Sequence, residues 1–384
     1  MIIHVVRFFS PHIGGNENQA YQLLQELRTS SPYTYEVVTY RYSSKLPKRE
    51  LLNNICVNRV GRFCNIVNRL RSIDNRYCRI LSGLLEEIDV LLSTYLYLSK
   101  HKDNTELIHV HQATTVALAA YLIYSRYRIP YLIKDATTDG LSYWNMWPFG
   151  HIIQKKLVST AYWVAMTQMI HLKLTERGVS EDRLFNVPNG ISQDKCLVKG
   201  NYQENRRILF IGNFDQGQIK GLDILIKAFI LLYKKDQRVT IWIVGRGDKD
   251  DMLNLMKEEG IPPTAYLFIG ENKSLIDLYQ QCNVFVLSSR AEGFSNSLLE
   301  AIAYGMPCVT TAVSSGKDLI VDGYNGRVVP VGDSQKLANA IEFCFENPIL
   351  VREWGARSKE RVRTYYTFNI VSDKYLDVYQ RIMK

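Results

Sequence analysis

Two kinds of apolar pattern alternate along this chain. Short runs of β-branched and aromatic residues predict strands, and apolar positions recurring every three or four residues predict helices. The first kind covers 2–9, 35–39, 55–60, 107–111, 131–134, 162–166 and 184–187. The second covers 16–28, most of 62–99, and 113–126. A polar, aperiodic stretch over 192–206 then predicts a linker between domains. After it the alternation starts afresh. Strands are expected over 207–212, 238–244, 265–269, 283–287 and 307–310, and helices over 220–234, 249–259, 273–281 and 296–304. The last segment, 369–383, reads as an amphipathic helix through Val371, Tyr375, Val378, Tyr379 and Ile382. Strand–helix alternation argues for parallel sheets with crossover helices. The expected fold is therefore α/β, with two Rossmann-like domains facing across a cleft at the carboxyl ends of their strands.

Composition agrees with two ordinary globular domains. The chain has 384 residues, 46% hydrophobic and 22% charged, more than one core comfortably holds. The seven cysteines lie at 56, 64, 78, 196, 282, 308 and 344 with no C-x-x-C pair. This argues against a disulfide framework or zinc ribbon and for a reducing compartment. The opening MIIHVVRFF is too short for a signal peptide, and Arg7 interrupts it. No run approaches the roughly 18 apolar residues of a membrane span. The stretches 90–98 and 116–124 are rich in tyrosine and read as buried helix pieces.

Charge changes this picture at one place. Of the net charge of +9, a balance of +7 falls between Lys45 and Arg79, where nine Lys and Arg face only Glu50 and Asp74. Phe63, Ile66, Val67, Leu70, Ile73 and Tyr77 recur at helical spacing beside Arg62, Arg69 and Arg76. Such a helix suits an anionic membrane surface, and equally an ordinary amphipathic helix packed on a sheet. No nucleic-acid motif accompanies the charge.

The densest chemistry lies in Glu292–Val309, EGFSNSLLEAIAYGMPCV. Glu292 precedes a Gly293-Phe294 turn, Ser295 or Asn296 can cap the helix that follows, and Glu300 sits eight positions on. Open backbone N–H groups at a helix start bind anions. An acid on each side can accept sugar hydroxyls. Phosphate donors beside hydroxyl acceptors suit a nucleotide sugar. Lys220, just before Gly221, opens a helix after the first strand of the second domain and can reach diphosphate oxygens. His109 and His111, at i and i+2 on one strand, share a face. Two imidazoles without a third ligand more often pack structurally than bind metal.

The chain resembles the family 4 retaining glycosyltransferases of GT-B architecture. The resemblance rests on SPHIGG (10–15), VPNGI (187–191), IGNFDQGQIKGLDIL (211–225), SRAEGFSNSLLE (289–300) and GYNG (323–326), in that order. It implies an acceptor-side domain over 1–198, joined by a returning helix 367–384, and a nucleotide-sugar domain over 199–366. It implies that Lys220 neutralises the leaving diphosphate, that Glu292 contacts the donor sugar and that Glu300 binds ribose. Backbone donors would come from Gly293, Phe294, Ser295, Asn296, Ser297 and Leu298. Gly14 and Gly15 would allow close backbone approach. The turn at Arg246 and the strand end near Gly270, Glu271 and Asn272 would lie by the base and ribose.

Two positions depart from the family pattern. Asn213 stands where an arginine is usual, with Arg246 a candidate substitute and Arg290 a less obvious one. LIKDATTDG over 132–140 lacks the usual histidine; Lys134, Asp135, Thr137, Thr138 and Asp139 are polar there, and Asp135 is the candidate replacement. The resemblance further implies a metal-free, front-face transfer from a nucleotide sugar, most simply a UDP-sugar, to a glycan, lipid-linked or other hydroxyl acceptor. A cytoplasmic enzyme, peripheral on the inner membrane face, is expected. A GT-B nucleotide-sugar epimerase and a non-catalytic GT-B partner subunit stand as alternatives, the latter prompted by Asn213 and the missing histidine.

Overall fold

A computed structural model describes residues 1–12, 14–135, 139–197, 205–214, 217–270 and 275–384. Ala136, Thr137 and Thr138, residues 198–204 of the expected linker, and Glu271 and Asn272 lie outside the described residues. The chain forms two compact units, Met1–Gly190 with Phe368–Lys384, and Ile191–Thr367. The first crossing thus falls at Gly190, ahead of the 198 expected, because Ile191 already bridges Thr367 within the second unit.

In the first unit an eight-stranded sheet has the order β3-β4-β2-β1-β5-β6-β7-β8. The strands are β1 (Ile2–Val6), β2 (Tyr35–Tyr40), β3 (Arg49–Leu52), β4 (Ile55–Val60), β5 (Leu107–Val110), β6 (Tyr131–Asp135), β7 (Tyr162–Ala165) and β8 (Leu184–Asn186). Strands buried on both faces explain the continuous apolar runs of β1, β5 and β6. All pairings are parallel except β3 with β4. That hairpin was not expected from the apolar pattern. Its signal was Asn53-Asn54, whose φ angles of 44° and 63° put both residues in the left-handed conformation of a tight hairpin turn.

The terminal helix Phe368–Met383 packs on this first unit. Val371, Tyr375, Val378, Tyr379 and Ile382 are all buried, and they join Leu23, Leu24 and Leu27 of helix Gly15–Ser30 in one core. The region 62–99 forms two helices, Cys64–Arg71 and Arg76–Lys100.

The second unit holds a six-stranded, wholly parallel sheet, β11-β10-β9-β12-β13-β14. Its strands are β9 (Arg206–Ile211), β10 (Val239–Val244), β11 (Tyr266–Ile269), β12 (Val284–Leu287), β13 (Cys308–Thr311) and β14 (Arg327–Val329). Strand order reverses between β9 and β12, so the chain departs in opposite directions from the carboxyl ends of these neighbours. Open α/β sheets place their ligands at such a point.

Candidate functional site

The expected residues of the second unit gather at the carboxyl ends of β9 and β12. A 3-10 turn, Gly217–Lys220, follows β9 and leads through Gly221 into helix Leu222–Lys235. Gly221 has a φ of 63°, and a Cβ there would stand 2.0 Å from the Ser288 carbonyl oxygen. Only glycine lets the turn close so tightly on the segment after β12. Two hydrogen bonds seal that contact: Arg290 N–H donates to the Ile219 carbonyl at 2.7 Å, and the Ser288 hydroxyl donates to the Lys220 carbonyl at 3.2 Å.

This fixes the Lys220 backbone and aims its ammonium at Glu292. The Nζ donates to both carboxylate oxygens, at 3.0 and 2.8 Å. The Ser289 hydroxyl donates to the same carboxylate at 3.2 Å. Glu292 is nearly buried, while Lys220 keeps about a third of its side chain exposed. The ammonium is thus held but reachable. Arg290 is turned away: its guanidinium grips Asp223 through two parallel bonds of 2.7 and 2.6 Å. Partial burial raises the Asp223 carboxyl, but the guanidinium outweighs it and leaves the pKa below the usual value.

The helix Asn296–Ala303 begins beside this pair, capped by the Ser295 hydroxyl, which accepts from Leu298 N–H at 3.2 Å. Ser295 N–H donates to the Ser315 hydroxyl at 3.0 Å. Two of the expected backbone donors, Ser295 and Leu298, therefore already have protein partners. Gly293 lies half-buried in the turn, Phe294 is buried with its ring 6.4 Å from that of Tyr366, and Asn296 and Ser297 open the helix. Glu300 projects from the second turn. It accepts a charge-assisted bond from Lys195 and one of 3.3 Å from the Tyr279 hydroxyl. Burial first, then the Glu300 charge, holds the Tyr279 phenol protonated, so it donates. Lys195, Tyr279, Ser289 and Ser315 were not anticipated; Ser289 opens the 289–300 motif without having been singled out, and only the fold brings the other three here.

Asn213 is committed to structure: its side-chain oxygen accepts Arg246 N–H at 3.0 Å, tying the turn after β9 to the turn after β10. Gly245 stands so close to Gly212 that a Cβ would lie 2.2 Å from its carbonyl oxygen. The Arg246 side chain is exposed at this junction.

In the first unit, Gly14 precedes and Gly15 opens helix Gly15–Ser30. Asp135 ends β6, buried, and accepts Gly140 N–H at 3.1 Å. Asp139 pairs with Arg177 at 2.7 Å. The histidine pair gains an unexpected third member, since β1 and β5 are in register at His4 and His109. One ring nitrogen of each of His4, His109 and His111 lies within 4.8 Å of the others. His4 Nδ1 meets His111 Nε2 at 3.0 Å, and His109 Nδ1 meets the Tyr379 hydroxyl at 2.7 Å. Burial, and after it the charge of Lys134, pushes the His4 pKa down to about 3. Burial likewise lowers His109 and His111. Lys134 is itself pushed down to about 7 by burial, and it donates to Asn189 at 2.6 Å. His4 lies more than a hundred residues from its partners, so no local spacing reveals it.

Residues 205–347 match the family described as Glycosyl transferases group 1. The chain is 24% identical over 343 residues to the capsular polysaccharide biosynthesis glycosyltransferase CapM of Staphylococcus aureus, covering 82% of this chain and 88% of that protein. It is 30% identical over 203 residues to a phosphatidyl-myo-inositol mannosyltransferase of Mycolicibacterium smegmatis, covering 51% of each. Anabaena Alr3699/HepE, solved in complex with UDP-glucose, shares the fold with a TM-score of 0.74 at 17% identity over 99% of both chains.

Proposed function

We propose, from the premise that this chain is a glycosyltransferase of the GT-B fold with residues 205–347 in the group 1 family, that it transfers a sugar from a UDP-sugar to a hydroxyl of a glycan or lipid-linked acceptor with retention of configuration. The observation that carries this reading is the Lys220 ammonium held 2.8 and 3.0 Å from the Glu292 oxygens, beside a capped helix start and at the strand-order reversal. A donor pyrophosphate laid against that helix start meets the ammonium, which neutralises charge as the diphosphate departs. Glu292 turns its oxygens to sugar hydroxyls, and Glu300, oriented by Lys195 and Tyr279, takes the ribose. On the front face the anomeric carbon–oxygen bond to the diphosphate breaks as the acceptor oxygen bonds to the same side. The acceptor's proton passes to the leaving phosphate oxygen.

The UDP-glucose complex of the Anabaena neighbour supports a UDP-sugar donor, and the names of the staphylococcal and mycobacterial relatives support polysaccharide or lipid acceptors. The roles of Gly14 and Gly15 rest on the motif resemblance, and that of Asp135 on its place where the family pattern has a histidine. Lys220 supplies the cation at the diphosphate in this reading, so no metal is invoked.

The test is UDP release from UDP-sugars, with and without acceptor, by the wild type and by Lys220→Ala and Glu292→Ala proteins whose circular dichroism is unchanged. Removing one such donor to a developing anion lowers turnover by about 10²–10³-fold. Full turnover in a folded Lys220→Ala protein contradicts the assignment.

A further inference from the structure

Three imidazoles meet inside the first unit. β1 and β5 pair in register at His4 and His109, and His111 follows two residues on, so its side chain takes the same face. All three are at most 2% exposed. The terminal helix covers them. The Tyr379 hydroxyl lies 2.7 Å from His109 Nδ1 and 3.4 Å from His4 Nε2, and the Tyr375 ring packs 5.2 Å from that of His109. A neutral imidazole carries one N–H and one lone pair. The Tyr379 oxygen can accept both neighbouring N–H groups, which leaves lone pairs on His109 Nε2 and His4 Nδ1. His4 Nδ1 lies 3.0 Å from His111 Nε2, close to the roughly 3.3 Å between two nitrogens on one tetrahedral zinc. His109 Nε2 is buried with no partner among the described residues, and so is the Tyr375 hydroxyl. A buried polar atom left in that state costs about 1–3 kcal/mol, and a bound cation removes the cost at His109 Nε2.

We propose that His4, His109 and His111 bind a zinc ion that clamps the terminal helix to the sheet of the first unit. One ring nitrogen of each lies within 4.8 Å of the others, so small turns of the rings bring all three onto one ion. Imidazole nitrogen suits zinc. Among the described residues no carboxylate joins the cluster, which disfavours the oxygen-seeking Mg2+ and Ca2+. Burial keeps the rings neutral, the form that ligates. Tyr379 orients His109 and His4 from behind, as the outer partner of a ligating histidine does, and through it the ion is tied to the helix Phe368–Met383. Lys134 is the opposing charge. It donates to Asn189 at 2.6 Å and is pushed down to about 7 by burial, and a nearby cation favours its neutral amine further. Because the helix covers the cluster, zinc enters as the chain folds. The cluster lies within the first unit and does not depend on the donor-site reading.

The experiment is refolding of the full chain with zinc sulfate, followed by removal of loose metal on a desalting column. One zinc per chain stays bound, and X-ray absorption at the zinc edge shows three imidazoles with nitrogen at about 2.0–2.1 Å and no sulfur near about 2.3 Å. The melting midpoint is higher than that of the chain refolded with EDTA, and magnesium sulfate does not reproduce the rise. His109→Phe, which keeps the volume and removes the nitrogens, retains no zinc. Tyr379→Phe holds it about 10–100-fold more weakly. The proposal is overturned if the wild type retains no zinc, if sulfur or fewer than three imidazoles bind it, if zinc leaves the midpoint where EDTA does, or if His109→Phe holds zinc as the wild type does. The wild-type measurements decide the matter should His109→Phe fail to fold.

Discussion

Lys220 depends on a residue with no side chain. Gly221 adopts a φ of 63° with the Ser288 carbonyl where a Cβ would go. Gly221→Ala therefore meets both left-handed strain and a backbone clash, and is expected to cost about 1–3 kcal/mol or more. Thermal melting of the variant measures it; an unchanged midpoint would show that the turn relaxes without cost. The three histidines make a second prediction at this scale. The His4 imidazole is held near 3 when folded and returns to about 6.5 when unfolded. The unfolded chain then binds more protons between these values. Stability contributed by the neutral ring is present above pH 6.5 and drains away as pH falls from 6.5 towards 3. For each imidazole kept neutral, the slope is about 1.4 kcal/mol per pH unit. Scanning calorimetry from pH 7 to 4.5 should show a falling midpoint, and a flat or rising one would contradict the burial argument. Glu292, Glu300 and Lys220 were singled out by the motif resemblance, because two glutamates at that spacing are by themselves close to chance, and the fold then sets Lys220 against Glu292. His4, Lys195 and Tyr279 were not, because sheet register and chain reversal bring them in from distant sequence.

Among the elements, the terminal helix Phe368–Met383 matters most for the first unit. It buries Val371, Tyr375, Val378, Tyr379 and Ile382, each worth about 1.5–3 kcal/mol, against a net stability of about 5–15 kcal/mol for a typical domain. A chain ending at Thr367 is expected to lose cooperative melting of the first unit; retention of it would show that the helix is an accessory. The 3.6-residue period of that segment made it readable, as the two-sided burial of β1, β5, β6, β9 and β12 made those strands readable. The β3–β4 hairpin escaped because Arg49–Leu52 lies at a sheet edge with an alternating, half-exposed pattern, and its Asn53-Asn54 turn carried the only local cue. The helix Arg76–Lys100 misled in another way. Its apolar stretch 90–98 reads as core, yet Leu92 and Leu96 are exposed while Ser93 and Thr94 are buried. Periodicity finds the two faces of a helix but does not say which one the domain takes.

At the scale of the whole molecule, two α/β units are built by the same rule, and the second brings its chemistry to the strand-order reversal. Where the chain departs from the family pattern it resembles, Asn213 braces the turn at Arg246 through a 3.0 Å bond, and Arg290, the less obvious substitute cation, is engaged by Asp223. One ammonium, Lys220, is therefore the cation the account assigns to the donor diphosphate. Titration calorimetry of a UDP-sugar into the purified chain, in the presence of EDTA, tests this most directly. Saturable binding at one site is expected to survive the chelator and to weaken at least about tenfold in a folded Lys220→Ala protein, the loss of one charge-assisted contact of about 1.5–3 kcal/mol. Binding that EDTA abolishes, or that Lys220→Ala leaves unchanged, would contradict it.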